Sequence, residues 1–214
     1  LLTESLLRNH THREGFQFSY CSASDHLMIP AIFNVRLNTL YSERHIDTQY
    51  LHRLVAVDTA AKKAVFQKLK EPTQAHFEKG TGEELVTLEY DFLHFSPPMR
   101  APGFVRDSPL AIAEGDLRHG GWTQVDQYTL VQPDFPNIVV LGDTAGIPTS
   151  KTAAAIHKQA PVVTANLVAL MEGKEPPKKY NGYTACPVIT EYGKVLLCEF
   201  GYDKVLMPTV PKLD

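Results

Sequence analysis

Ile138-Val139-Val140-Leu141-Gly142-Asp143, then a polar loop, then Pro148-Thr149-Ser150-Lys151-Thr152-Ala153-Ala154-Ala155 is the stretch whose reading decides the fold. A short apolar run ending in Gly-Asp reads as a buried strand that delivers a carboxylate to the carboxyl edge of a sheet. Open α/β folds bind their ligands there. Gly142 lets another group approach the backbone closely, and Asp143 can accept hydrogen bonds from ribose or ribityl hydroxyls. The next helix is expected to begin near Thr149 or Ser150, with Lys151 in its first turn. Its free N–H groups would favour an anion. Two readings stay open on these residues. Either Asp143 and Lys151 line a ligand site, or Asp143 caps a turn and Lys151 is solvated.

Working outward, residues 152–171 read as a helix, with Pro161 near the middle and Gly173 and Pro176-Pro177 ending it. Two alternating segments follow, 188–190 and 195–200, joined by Tyr192-Gly193-Lys194 as a hairpin turn. Upstream, residues 122–131 read as a short strand pair or hairpin and 102–121 as loop. Residues 85–96 form an apolar run stopped by Pro97-Pro98, expected as a strand buried on both faces of a mostly parallel sheet. Residues 48–58 and 63–69 read as an antiparallel pair, and 70–84 as a loop or hairpin tip. Residues 1–14 read as a helix with Gly15 as its C-cap, and 16–20 as a strand. A second helix is expected over 31–44, with Ile32, Val35, Leu37 and Leu40 toward its buried side. Strands and helices in this order predict an α/β fold with attached β-hairpins.

Composition narrows the function classes. The chain has 214 residues, 43% of them hydrophobic and 21% charged, with a formal charge of -3. No basic patch suggests nucleic acid, and Lys178-Lys179 after Pro176-Pro177 reads as a solvated turn. No stretch approaches the roughly 20 apolar residues of a membrane-spanning helix, so membrane contact is expected to be peripheral. Leu1-Leu2-Thr3-Glu4-Ser5-Leu6-Leu7 lacks an initiator Met and signal-peptide features, and the chain reads as part of a longer polypeptide. Cys21, Cys186 and Cys198 include no zinc or thioredoxin-like spacing. Cys198 fits a small buried hydrophobe. Cys186 stands after a Gly-containing turn and before Pro187, which lacks an N–H and holds it at a strand edge.

Three segments carry a resemblance: Tyr90-Asp91-Phe92-Leu93-His94-Phe95-Ser96-Pro97-Pro98-Met99, the run from Leu141 through Gly142-Asp143 to Ala155, and Lys178-Lys179-Tyr180-Asn181-Gly182-Tyr183-Thr184-Ala185-Cys186-Pro187. In this order they resemble sulfide:quinone oxidoreductases of the mitochondrial type and their bacterial relatives. The resemblance covers essentially the whole chain. It implies the Rossmann-like FAD/NAD(P)-binding two-domain flavoprotein fold, in part, with a C-terminal β-hairpin region. Residues 1–96 would belong to the NAD-domain-like part, 97–172 to the FAD-binding domain, and 173–214 to a C-terminal region carrying a redox cysteine. It further implies FAD held by Gly142, Asp143, Lys151 and Thr152, no metal, and Cys186 as one of two catalytic cysteines. Sulfide would leave a persulfide, and electrons would pass through FAD to ubiquinone or another membrane quinone. The sulfane sulfur would go to an acceptor, at the mitochondrial inner membrane or the bacterial cytoplasmic membrane.

The family's Gly-x-Gly-x-x-Gly turn does not occur in this chain, and its partner cysteine lies upstream of the opening helix, so Cys21 does not match it. These 214 residues alone are expected to be inactive. Two other readings stay open: a type II NADH:quinone dehydrogenase relative, and a non-catalytic interaction domain of the same fold. Tyr192, Phe200 and Tyr202 are candidates either for quinone contact or for the hairpin core.

Overall fold

Contacts in the computed structural model, which describes residues 1–72 and 84–210, divide the chain into two units. The first comprises Leu1–Pro98 with Ile189–Lys194, and the second Met99–Val188 with Val195–Asp214.

The first unit is built on a parallel β-α-β turn of chain. Strand β1 (Phe18–Ser22) pairs in parallel with β2 (Ile46–Tyr50), Phe18 opposite Ile46, and α2 (Ala31–Glu43) connects them. Parallel strands need such a crossover because no tight turn can join them. Leu37 and Leu40 of α2 are buried, but Ile32 and Val35 are 59% and 67% exposed. The reason is angular. At about 100° per residue Val35 falls nearly opposite Leu37, so the four apolar positions never formed one face.

The opening helix α1 covers Leu2–Leu7 only, and a single 3-10 turn follows at Arg13–Gly15. Residues 8–12, Arg-Asn-His-Thr-His, are mostly weak helix formers, so the expected helix over 1–14 stops early. Arg8, not Gly15, closes it.

The second sheet of this unit is antiparallel, in the order β3 (His52–Asp58), β4 (Lys63–Lys68), β5 (Leu85–Glu89). The single strand expected over 48–58 breaks at Leu51, whose φ of 58° lies in the left-handed region. Residues before that point join the parallel pair, and those after it join the antiparallel sheet. Strand β5 corrects a further expectation. It is five residues long, lies at the sheet edge and alternates exposed with half-buried positions. Its apolar residues Val86 and Leu88 alternate with Thr87 and Glu89, which is the period of a half-buried strand rather than one covered on both faces. The loop expected over 70–84 lies mostly outside the described residues.

In the second unit a short helix α3 (Gly103–Arg106) precedes two very short parallel strands, β6 (Thr123–Gln124) and β7 (Ala145–Gly146). Helix α4 (Ala153–Met171) is the longest element and runs through Pro161 unbroken. Strands β8 (Thr184–Glu191) and β9 (Lys194–Phe200) form the expected hairpin, whose tip, Ile189–Lys194 with Gly193 at φ 75° in its turn, counts with the first unit. Residues 122–131 close a loop rather than a regular hairpin: Asp126 Oδ1 accepts hydrogen bonds from the N–H groups of Tyr128 and Thr129. The core gathers Leu130, Ala145, Ile147, Val162, Val163 and Tyr180, with Val139, Val140 and Leu141 packed against it.

Residues 138–141 therefore meet the core, but they do not form the expected strand. Their only ladder partner among the described residues is an antiparallel bridge between Val139 and Val131. Leu130, with φ 63°, turns the neighbouring chain away after a few bonds.

Candidate functional site

Asp143 sits in the 3-10 turn Gly142–Thr144, exposed to solvent, and not at the end of a strand. Gly142 opens that turn at φ 73°, a conformation that favours glycine. Its N–H donates to Gln159 Oε1 of α4 at 2.7 Å, and Gln159 is buried. The turn is thereby fastened to the helix from inside.

Helix α4 begins three or four residues after the start expected near Thr149 or Ser150, and within one residue of the helix read over 152–171. Thr152 is its N-cap, accepting from the N–H of Ala155 at 3.1 Å. Lys151 consequently precedes the helix instead of standing in its first turn. A threonine side chain at this position satisfies a backbone donor that the helix cannot, which is why the boundary moves to it.

The same segment is stitched to the one before Cys186. Thr149 Oγ1 donates to the Gly182 carbonyl at 2.8 Å, the Thr152 and Thr184 hydroxyls bond each other at 2.9 Å, and Thr184 Oγ1 donates to the Ser150 carbonyl at 3.3 Å. Thr184 is fully buried. Two motifs that lie about 30 residues apart in sequence thus share one place in the second unit. Gly182, at φ 81°, turns the chain there, and a Cβ on it would fall 2.4 Å from the Tyr202 ring.

Cys186 lies within β8 and is half-buried. Burial pushes its thiol up from the usual range, and a hydrogen bond with the Ser150 side chain partly offsets this. Lys151 is engaged by other groups. Its Nζ donates to the Ala145 carbonyl at 2.6 Å and stands 4.1 Å from the centre of the Trp122 ring. The lysine is brought down to about 8, mainly by burial, with Asp143 pulling the other way. Buried Cys198 is pushed up to about 11, by burial first and then by the nearby Cys186, and fits an inert core thiol.

Tyr192 is 81% exposed and Phe200 is buried. Tyr202 lies edge-on to both Tyr128 and Tyr180, with ring centres 5.8 Å apart in each case, and donates to the Gln127 carbonyl at 2.5 Å. Phe200 and Tyr202 are therefore held by packing. Among the described residues no group of three or more His, Cys, Asp or Glu side chains could hold a metal, and no helix is long and apolar enough to cross a membrane.

Sequence reasoning missed Trp122, Thr184, Gln159 and Asn166. Asn166 is fully buried and bonds the Thr129 carbonyl, at 2.8 Å, and both the N–H and the carbonyl of Lys178, at 2.9 and 3.0 Å. A signal existed for the last two. Gln159 and Asn166 fall on the face of α4 that buries Ala155, Val162, Val163 and Ala169, and a polar residue on an apolar face calls for a partner.

No family profile matches the chain. The mouse mitochondrial sulfide:quinone oxidoreductase is 34% identical over 193 residues, which is 84% of this chain and 39% of that protein. Its Dictyostelium discoideum counterpart is 34% identical over 201 residues and the Schizosaccharomyces pombe one 35% over 211, each covering 94% of this chain. The chain spans about 40% of the length of these curated relatives. Among solved structures, the sulfide:quinone oxidoreductase of Aquifex aeolicus matches at a TM-score of 0.65 and 17% identity, over 90% of this chain and 44% of that one. A chain in the mitochondrial ATP synthase of Tetrahymena thermophila matches at 0.78 and 22%, over 96% of this chain and 46% of that one. At these identities the structures establish the fold, that of two-domain flavoproteins in part, and the sequences carry the rest. By its sequence, the chain is similar over 84–94% of its length to part of the sulfide:quinone oxidoreductases.

Proposed function

We propose that this chain is part of an FAD-dependent enzyme that oxidises sulfide and passes the electrons to a membrane quinone, with Cys186 as a catalytic cysteine. The observation that carries the reading is the stitching of residues 149–152 to 182–184. It brings the Gly-Asp and Ser-Lys-Thr motifs beside the segment that leads into Cys186.

The residues present fit a flavin nucleotide by their donor chemistry. Lys151 is a half-buried ammonium without a paired carboxylate among the described residues, and such a charge favours an anion. Asp143, exposed on its turn, would accept from ligand hydroxyls. Gly142 would allow close approach, and Thr152 would offer its hydroxyl and the start of α4. When bound, FAD would supply a two-electron acceptor that can be reoxidised by a quinone. By this reading residues 1–96 are the NAD-domain-like part and 97–172 the FAD-binding part, with 173–214 carrying the redox cysteine.

In the reaction so read, a hydrosulfide ion attacks a disulfide between Cys186 and a cysteine supplied from outside these residues. The S–S bond breaks, one sulfur keeps the added atom as a persulfide, and the other leaves as a thiolate. No electrons leave the protein in that step. A sulfur acceptor later removes the outer sulfur. The names of the relatives point to a mitochondrial setting, and membrane contact would be peripheral.

Anaerobic absorbance of the flavin in the full-length protein tests this. Sulfide should bleach it, NADH should not, and Cys186→Ser should abolish the bleaching. Reduction by NADH that survives the substitution would assign the chain to the type II dehydrogenases instead. A second reading, a non-catalytic assembly module, draws on the matching chain in the Tetrahymena ATP synthase structure. It requires that the full-length protein never acquire flavin.

A further inference from the structure

Trp122 directly precedes β6 and Ala145 opens β7, and the two strands pair in parallel with Thr123 opposite Ala145. That pairing brings an indole face and a carbonyl oxygen to one place, and Lys151 Nζ occupies it. The indole has little freedom. It is buried with Ala101 and Val105, and Ile112 and Leu117 pack against them. A Cβ on Gly120 would fall 1.9 Å from its Nε1. A carbonyl and an aromatic ring both attract an ammonium, yet neither removes its charge.

We infer that Trp122 is a positioning residue for Lys151, clamping its ammonium against Ala145 as a fixed positive charge for an anionic group of a bound flavin nucleotide. The clamp rests on the flavin reading only for its ligand; the contact itself does not.

The charged groups around Lys151 are few. Asp143 faces it from the Gly142–Thr144 turn. Strands β6 and β7 carry no charge, Arg118 and His119 stand on the turn before Trp122, and His157 and Lys158 follow on α4. Burial lowers the lysine to about 8, and the aromatic face favours the charged form against that.

The chain has one tryptophan, so its emission reports this contact alone. Titrated from neutral to alkaline pH, the purified chain should show one transition with a midpoint near 8. Asp143→Asn should move that midpoint down, and Lys151→Met should remove the transition. A flat wild-type profile, or a transition that persists in Lys151→Met, overturns the inference. Because Lys151→Met leaves the indole in place, this arm stands even where a tryptophan variant fails to fold.

The lysine is then followed directly, by carbon-13 spectra of methyl-labelled lysines in Trp122→Phe and Trp122→Leu. Leucine keeps bulk without a ring face and should lower the midpoint by about one unit, with phenylalanine lowering it less. Equal shifts in both would reduce Trp122 to packing and overturn the role. Equilibrium with FAD separates the two ideas. A full-length protein that takes up no FAD while Lys151 keeps its midpoint near 8 sinks the flavin reading and leaves the clamp standing. A Trp122→Leu chain with wild-type FAD uptake and an unmoved lysine sinks the clamp.

Discussion

In the first unit a carboxylate, Glu4, is buried among three guanidinium groups, with Arg8 at 2.8 Å and Arg13 and Arg44 each at 3.8 Å. Arg8 and Arg44 also pair with Glu191, at 3.5 and 3.7 Å. In the second unit an ammonium, Lys151, is half-buried against a carbonyl and an indole, with no carboxylate paired to it among the described residues. The contrast separates two uses of charge. In the first case the charges answer one another, and the cluster ties α1, the end of α2 and the hairpin tip together. In the second the charge makes no ion pair among the described residues and answers only to Asp143 from a distance.

The largest effect should come from breaking the paired cluster. Glu4→Gln takes the buried carboxylate from Arg8, Arg13 and Arg44, leaving only Glu191 to pair with Arg8 and Arg44, and should cost about 3 kcal/mol, read by urea unfolding. A cost under about 1 kcal/mol would mean the cluster behaves as a solvated surface pair. The pH dependence follows from its sign. Hydrogen bonding to Arg8 holds the Glu4 carboxyl below the usual carboxylate range. Its stabilisation is present above the unfolded-state value and is lost as pH falls through the folded one. The stability gap between wild type and Glu4→Gln should therefore hold near neutrality and close only at low pH.

Lys151→Met should act in the opposite direction. Its folded value is lowered to about 8, so below that pH folding keeps the lysine charged in a place that disfavours it. The penalty is relieved as pH rises from about 8 toward the ordinary lysine value, because the unfolded chain then binds the extra proton. Near neutrality the substitution should stabilise the chain by on the order of 1–3 kcal/mol, with the gain fading at alkaline pH. Destabilisation at neutral pH would erase the contrast between the two units. The smallest change is expected from Thr152→Ala. Loss of the cap on α4 and of the bond to Thr184 should cost about 1 kcal/mol by thermal unfolding. The same variant should loosen the chain around Cys186, measured as faster alkylation of that thiol by iodoacetamide.

Elements were legible where one strong local pattern covered them. Helix α4 announced itself through its alanine-rich start and the Gly173 stop, and the β8–β9 hairpin through Tyr192-Gly193. The parallel pair β1–β2 was not, because its second strand merges in sequence with β3 and only the left-handed Leu51 divides them. The site was half legible. Gly142, Asp143, Lys151, Thr152 and Cys186 were found as motif members. The threonine stitching that joins their segments depends on contacts between residues about 30 positions apart, which no local window contains. Trp122 stayed invisible for a similar reason. Nothing near it in sequence predicts that a two-residue strand pair will bring it to Lys151.

Gly120 has a consequence that reaches beyond folding. Its backbone is not in the left-handed region, so the turn itself would accept an alanine; what forbids one is the Trp122 indole 1.9 Å from where the methyl would go. The two positions are therefore bound in a historical order. A lineage can exchange the tryptophan first and then let position 120 drift, but the reverse route passes through a clash with a buried ring. Relatives that keep the indole should keep the glycine, and side chains at position 120 should appear only in branches that have already lost Trp122.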